Sequence, residues 1–376
     1  MYTVSLCSAT MVFATDVVAT DAELAKIDVS AQTKMRESLA NDPFRPLYHI
    51  SPHGKGLHDP AGLCYWKGYY HCFYLTFPKH WGRGHAISKD LVHWQDLPPL
   101  PDAFLGGTGQ VLVDSDKVIL GFANGRFATA SDPFLLDWKM RDDLPLPRGG
   151  DNYMWKEDGH YYAGFQIKDF KKGLRWSDVS CPKLALYRSP DLKTWENLGL
   201  MFHDKTFGDY GEDIACPNFL PLTKDKHLML HFTHKNSARF YVGDYNKETF
   251  RFTPDRFGKM CYGPVKRGSI HAPSAFIDQK ERCVAIWNIF ENRGMKGWQE
   301  ILTLPRHLTL NGDNNTVNNY LNPLGIAPID ELKTLRRDMV EVKDMLIPAN
   351  EERILSAVKG KAMEIVIEID PMIRKQ

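Results

Sequence analysis

The chain has 376 residues, with 47 Lys and Arg set against 46 Asp and Glu, for a formal charge of +1. That balance supplies no electrostatic drive toward nucleic acid or an anionic membrane surface. No apolar run approaches the ~18 residues needed to cross a bilayer. The length suffices for a large core and more than one domain. Aromatics at 12% suit both β-structure and stacking on sugar rings.

The seven cysteines are scattered (Cys7, Cys64, Cys72, Cys181, Cys216, Cys261, Cys283), odd in number and without a Cys-x-x-Cys pair. This pattern argues against a disulfide framework and a structural zinc site, and leaves buried free thiols as the default. His53, His58, His71, His80 and His85 are dense, but they lack the paired spacing of a metal site, and no metal or cofactor is expected.

In chain order, Val4 to Ala14 is mildly apolar, yet no Lys or Arg precedes it as in a secretory signal. Secreted, periplasmic and cytoplasmic locations all stay open. Leu24, Ile27, Val29 and Met35 recur at helical spacing, which predicts a lead-in helix over 21–39, ended near Asn41-Asp42-Pro43. Residues 1–44 are read as this lead-in segment.

The next stretch, Gly56-Leu57-His58-Asp59-Pro60-Ala61-Gly62, sets a carboxylate between a His and a Pro. Tyr65 to Tyr74 then places aromatics around Lys67-Gly68, the pattern of a hairpin. An acid on a short loop before a hairpin is either an Asp-Pro turn starter or a presented nucleophile.

From Tyr48 onward the chain repeats. Ser88-Lys89-Asp90-Leu91-Val92-His93-Trp94 returns as Ser189-Pro190-Asp191-Leu192-Lys193-Thr194-Trp195, and more loosely as Ser131-Asp132-Pro133-Phe134-Leu135-Leu136-Asp137-Trp138. A second unit, an acid followed by strand, turn and aromatic strand, opens at Asp59, at Asp151 and at Glu212-Asp213. Modules near 57–100, 104–147, 149–200, 211–254 and 268–311 make five, with the spacing of propeller blades. Acids at the starts of blades then meet at one mouth of the central channel.

Residues 45–312 are therefore read as an all-β, five-bladed β-propeller, and 313–376 as a linker followed by an incomplete C-terminal β-sandwich region. Met339 to Val342 and Ala362 to Ile369 alternate with strand period. About 60 residues hold too few strands for an independent sandwich.

Several of these segments resemble glycoside hydrolase family 32, the invertase and fructanase group. The family's opening Trp-Met-Asn-Asp-Pro-Asn-Gly is similar to Gly56 to Gly62 at Asp59, Pro60 and Gly62. His80-Trp81-Gly82 and His85-Ala86-Ile87-Ser88-Lys89-Asp90-Leu91-Val92-His93-Trp94 match a second signature, and Ala272-Pro273 with Gly297 to Arg306 a third. The resemblance implies a five-bladed propeller followed by a β-sandwich, and retaining hydrolysis of β-fructosides such as sucrose or fructans. Retention needs a carboxylate nucleophile and a carboxyl proton donor roughly 5–5.5 Å apart. A third acid steadies the charge that develops on the sugar.

Asp59 matches the nucleophile and Asp151 the stabiliser, with Gly150 and Asn152 beside it. The family's Glu-Cys-Pro, whose Glu is the acid/base, is Ala215-Cys216-Pro217 here. Asp213, two residues earlier on the same strand face, is the first substitute, and Glu212 the second. His58, Trp81, His85 and Trp298 are candidate substrate-binding residues, and Arg148 a candidate partner for Asp151. The expected partner is a small-molecule or oligosaccharide substrate, with the oligomeric state open. The alternative is a catalytically silent propeller that binds carbohydrate.

Overall fold

The computed structural model describes residues 18–52, 56–77, 82–101, 108–122, 125–147, 149–167, 182–204, 206–209, 211–261, 269–290, 298–312, 323–360 and 363–368. Five antiparallel sheets follow one another along the chain. The first contains β1 (Gly56–Trp66), β2 (Tyr69–Phe77), β3 (Gly82–Ser88) and β4 (Trp94–Leu100). The second contains β5 (Val111–Asp114), β6 (Lys117–Gly121), β7 (Phe127–Ala130) and β8 (Lys139–Met140). The third is β9 (Asn152–Glu157), β10 (His160–Gln166), β11 (Lys183–Ser189) and β12 (Glu196–His203).

The fourth sheet is β13 (Ala215–Pro221), β14 (His227–Thr233), β15 (Ser237–Asn246) and β16 (Arg251–Lys259). The fifth has β17 (Ile270–Ile277), β18 (Cys283–Ile289), β19 (Ile301–Leu302), β20 (Arg306–Leu310) and β21 (Leu324–Pro328). It thus runs past residue 312, where the sequence reading ended the propeller.

The first strand of every sheet is innermost. β1 touches β5 and β17, β9 touches β5 and β13, and β13 touches β17, which closes the ring. Sheets packed face to face explain why the middle strands show no alternation. In β2, Tyr69 through Leu75 are all buried, because both faces meet a neighbouring blade. The outer strand β12 meets solvent, and Glu196, Asn197 and Gly199 are exposed near its start.

Apolar wedges fill the gaps between blades. Cys64, Trp66 and Phe73 of the first sheet pack on Val118, Leu120 and Ala128 of the second. Ile119 and Phe127 then meet Met154, Ala163 and Phe165 of the third. The ring is latched where it begins: the Leu57 N–H donates to Gln299 O at 3.1 Å, and the Leu302 N–H to Ile50 O at 2.9 Å.

The repeated Ser/Asp–Leu–Trp unit is a rigid turn between the third and fourth strands of a blade. Asp90 Oδ1 accepts the N–H groups of Val92 and His93, and Asp191 Oδ1 those of Lys193 and Thr194. Asp132 does the same for Phe134, Leu136 and Asp137. The leucine in each copy adopts a left-handed backbone, with φ of 66°, 52° and 65° at Leu91, Leu135 and Leu192, and its side chain is buried. The tryptophan indole N–H closes the turn on that leucine's carbonyl. The Lys67-Gly68 turn likewise has positive φ at both residues, as a two-residue hairpin requires.

The lead-in segment is helical in two pieces, α1 (Asp21–Leu24) and α2 (Ser30–Ser38), rather than one helix. Thr20 and Glu23 form a capping box on α1. Ala19 and Leu24 are buried against Tyr69, Ile87, Leu97 and Phe134. Residues 330–376 form a separate unit. Its described residues contain a short 3-10 turn, Asp330–Leu335, and no strand. Of the strands expected at 339–342 and 362–369, the described residues 339–342 and 363–368 form none, and Met339, Val366 and Ile367 stand exposed.

Leu135 is fully buried, and its truncation in Leu135→Ala is expected to cost about 2–5 kcal/mol. Met339→Ala, at an exposed site, should stay within about 0.5 kcal/mol of the parent. Chemical-denaturation midpoints check both, and equal effects would contradict the assignment of core and tail.

Candidate active site

Three innermost strands each carry a register slip next to a proline, and β1 slips a second time between Pro60 and Leu63. In β1 the register slips between Leu57 and Pro60, in β13 between Ala215 and Asn218, and in β17 between Ile270 and Pro273. Proline has no N–H for the ladder, and the bulge turns the adjacent side chain out of the pleat. Asp59, Cys216 and His271 lie within these slips. Gly62 follows in β1 at φ +136°, where a Cβ would lie 2.7 Å from Val111 of the next blade. The motif's final glycine is therefore needed both for its backbone conformation and for blade packing.

Asp59 is held from several sides. Its Oδ1 pairs with His58 Nδ1 at 2.7 Å, and its Oδ2 accepts from Thr108 Oγ1 at 3.1 Å. Burial raises the carboxyl's pKa, but His58, Thr108 and His271 outweigh it and hold the group below its ordinary value of 3.8. Asp151 Oδ2 accepts the Cys216 N–H at 3.0 Å. The Cys216 thiol lies against both acids, 3.9 Å from Asp59 Oδ2 and 3.6 Å from Asp151 Oδ2. Burial and the two carboxylates drive that thiol's pKa well up, so it stays protonated. Cys216 itself is strained, with φ 48°.

The floor of the site is polar and closed. Asn218 donates to Cys216 O and Pro273 O and accepts from the Ala275 N–H, which ties β13 to β17. Gln110 reaches Pro273 O and accepts from Ser274 Oγ. Arg83 of β3 feels the charge of Asp151 and is buried over the Phe122 ring at 5.0 Å. Burial lowers the Arg83 pKa to about 10, against the opposing pull of Asp151. Arg148, the sequence candidate for that partnership, lies outside the described residues, as does Trp81.

The remaining candidates divide. His58 belongs to the site. His85 does not: it is fully buried inside the first blade, stacked on Phe73 at 4.3 Å and joined to His71 at 2.9 Å. Burial keeps both rings neutral. Trp298 is also buried, with its indole N–H spent on Asp42 Oδ2 at 2.7 Å. His85 is thus inside the first blade, and Trp298 is tied to the lead-in segment.

Glu212 is a structural acid rather than a substitute proton donor. It is completely buried, ion-paired with Arg239 at 2.5 Å, and accepts from Asn236 and the Asp209 N–H. Asp213 does sit at the site's edge, but both its oxygens are occupied. Oδ1 accepts the His234 N–H at 2.9 Å; Oδ2 meets His234 Nδ1 at 2.7 Å and the Gln166 amide at 3.2 Å. It presents no free O–H to a leaving group. Thr108, Cys216, His234 and His271 were not singled out from sequence. Only Cys216 and His271 had a signal, being next to Pro217 and next but one to Pro273.

A five-bladed propeller with carboxylates gathered at one mouth of its axis is the class of protein these features define. The N-terminal domain of glycosyl hydrolases family 32 matches residues 49–106 and 151–321, and the chain belongs to that family. An insoluble β-fructofuranosidase isoenzyme of Oryza sativa subsp. japonica is 28% identical over 383 residues, covering 85% of this chain and 62% of that protein. The sucrose-6-phosphate hydrolase of Zymomonas mobilis is 27% identical, covering 82% and 66%. Among solved structures, a Bombyx mori family 32 β-fructofuranosidase aligns with a TM-score of 0.64 at 23% identity, over 83% of this chain and 72% of that one. This chain thus spans less than two thirds of the length of these two curated relatives.

Glu212→Gln removes the counter-charge of a buried arginine, and breaking such a pair costs about 3–5 kcal/mol. The expected outcome is a lowered unfolding free energy of that size. Unchanged stability would show that Glu212 is not the structural acid described.

Proposed function

We propose that the chain hydrolyses β-fructofuranosides, sucrose or fructan-like oligosaccharides, with retention of configuration. Asp59 attacks the anomeric carbon and Asp151 holds sugar hydroxyls and steadies the oxocarbenium-like transition state. The observation that carries this reading is the pair of carboxylates meeting at one thiol, with the first fixed by His58 and Thr108. A nucleophile must be ionised and pointed, and both conditions are supported by these contacts. Membership of family 32 and the relatives' own names support the substrate class.

A second reading, a sugar-binding propeller without turnover, draws on Ala215. The side chain at the acid/base position is a buried methyl, and it lacks a proton to give. The test is fructose release from sucrose and from inulin-type oligosaccharides, with Asp59→Asn alongside. Release that falls by at least a thousandfold in the variant supports the first reading. Tight sugar binding with no release from the parent chain supports the second.

The pH profile supplies a further check. Asp59 acts as the carboxylate, and its pKa lies below 3.8. Activity is therefore retained down through the ordinary carboxylate range and lost only as pH falls through that lowered value. His58→Gln removes the strongest of the lowering contacts, so the acid limb of kcat/KM should move to higher pH. A limb that stays in place would contradict the pairing.

A further inference from the structure

We infer that Asn218 is a positioning residue for the reaction proposed above: its amide clamps the Cys216 carbonyl, and Cys216 in turn holds Asp151 and Asp59. The inference rests on the reading of those acids as stabiliser and nucleophile. Cys216 and Pro217 fall inside the β13 slip, between the Ala215–Phe232 and Asn218–Leu230 pairs, and have no Cα partner in that register. Pro217 also lacks an N–H. The backbone polar groups of Cys216 therefore need holders outside the regular ladder.

Two side chains serve. The Asn218 amide donates to Cys216 O at 3.0 Å and to Pro273 O at 3.2 Å, and its oxygen accepts the Ala275 N–H at 2.9 Å. The partners fix the amide's orientation, because a flipped group would set its oxygen against two carbonyls. At the other end of the same residue, the Cys216 N–H donates to Asp151 Oδ2 at 3.0 Å. A left-handed backbone at a non-glycine residue persists only where its surroundings hold it, and Cys216 has φ 48°. Ala215, Phe232 and Ala272, which cluster with Cys216, have no hydrogen-bonding side chain to do so. Asn218 is completely buried, so water does not compete for its amide.

The held conformation brings one residue to both acids. Its N–H reaches Asp151, and its thiol lies 3.6 Å from Asp151 Oδ2 and 3.9 Å from Asp59 Oδ2. Hydrogen bonds to a carboxylate favour its ionised form. Pro273 O, the second acceptor of Asn218, also receives the Gln110 amide, and Thr108, two residues before Gln110, donates to Asp59. The same carbonyl thus links β13 and β17 to the segment that holds the nucleophile.

Without the amide, Cys216 relaxes toward an ordinary backbone conformation. Its N–H then leaves Asp151, and its thiol leaves both acids. Asp59 keeps 15% of its side chain exposed, so a thiol released beside it comes within reach of a small reagent. Misplacing a catalytic group by about 1 Å costs on the order of 10²-fold in rate. Cys64, Cys72 and Cys283 are free thiols buried elsewhere in the sheets, and they report on any general opening of the fold.

The test is alkylation by iodoacetamide with peptide mapping, beside sucrose kinetics, on the wild-type chain, Asn218→Ala and Asn218→Asp. Asn218→Asp keeps the shape and the acceptor for Ala275 but has at most one hydrogen to donate. Wild-type Cys216 is expected to stay unmodified. In a folded variant, checked by circular dichroism, Cys216 should react roughly tenfold faster or more, with Cys64, Cys72 and Cys283 still protected. A merely structural role would not produce that selectivity. The kcat on sucrose should fall about 10–100-fold, with KM changing less than about threefold. A Cys216 that is reactive in the wild type, or inert in the folded variants, overturns the inference. So do all four of these cysteines reacting together, failure of both variants to fold, or an exposed Cys216 with wild-type kcat. A wild-type chain without turnover overturns the proposed function alone. Selective exposure of Cys216 then still upholds the clamp, and its absence sinks both.

Discussion

The site depends on one backbone constraint used three times. Asp59-Pro60, Cys216-Pro217 and the His271-Ala272-Pro273 stretch each interrupt an innermost strand with an extra residue. Without the slip, each strand would keep its pleat and alternate its side chains between the two neighbouring blades. With it, one residue per strand leaves the pleat and turns toward the axis. The Asp59 carboxylate and the Cys216 thiol come within 3.9 Å beside two of these slips. The strain recorded at Cys216 is the local cost of that arrangement, and the closed ring of sheets sustains it.

Around this constraint the electrostatics sort the acids by environment. Asp59 and Asp151 face each other across a protonated thiol. Asp213 is engaged with a partly exposed histidine, and Glu212 with a fully buried arginine. Four carboxylates that look alike in sequence thus sit in three different settings. Loss of the family's glutamate at Ala215 leaves a buried methyl at that position.

Much of this was legible in the sequence. The Ser/Asp–Leu–Trp repeat marked three blades because its chemistry is local: one carboxylate satisfies two or three N–H groups within five residues. The Lys67-Gly68 hairpin was legible for the same reason. The positions of Asp59 and Asp151 followed from where inner strands begin. Side-chain direction was not legible. His85 and Trp298 sit in recognisable motifs, yet His85 packs inside the first blade and Trp298 bonds to Asp42 of the lead-in segment, neither of which alternation alone reveals. His234 was invisible, since its relation to Asp213 exists only through cross-strand register. The tail misled because strand-like alternation is not a strand without a neighbour to pair with.

The measurement closest to the central claim is rapid acid quenching of the chain with β-fructofuranosyl fluoride, followed by peptide mass mapping. The account predicts one added fructosyl residue, carried on Asp59 within the β1 peptide and absent in Asp59→Asn. Turnover without any adduct on that peptide, or an adduct on another acid, would contradict it.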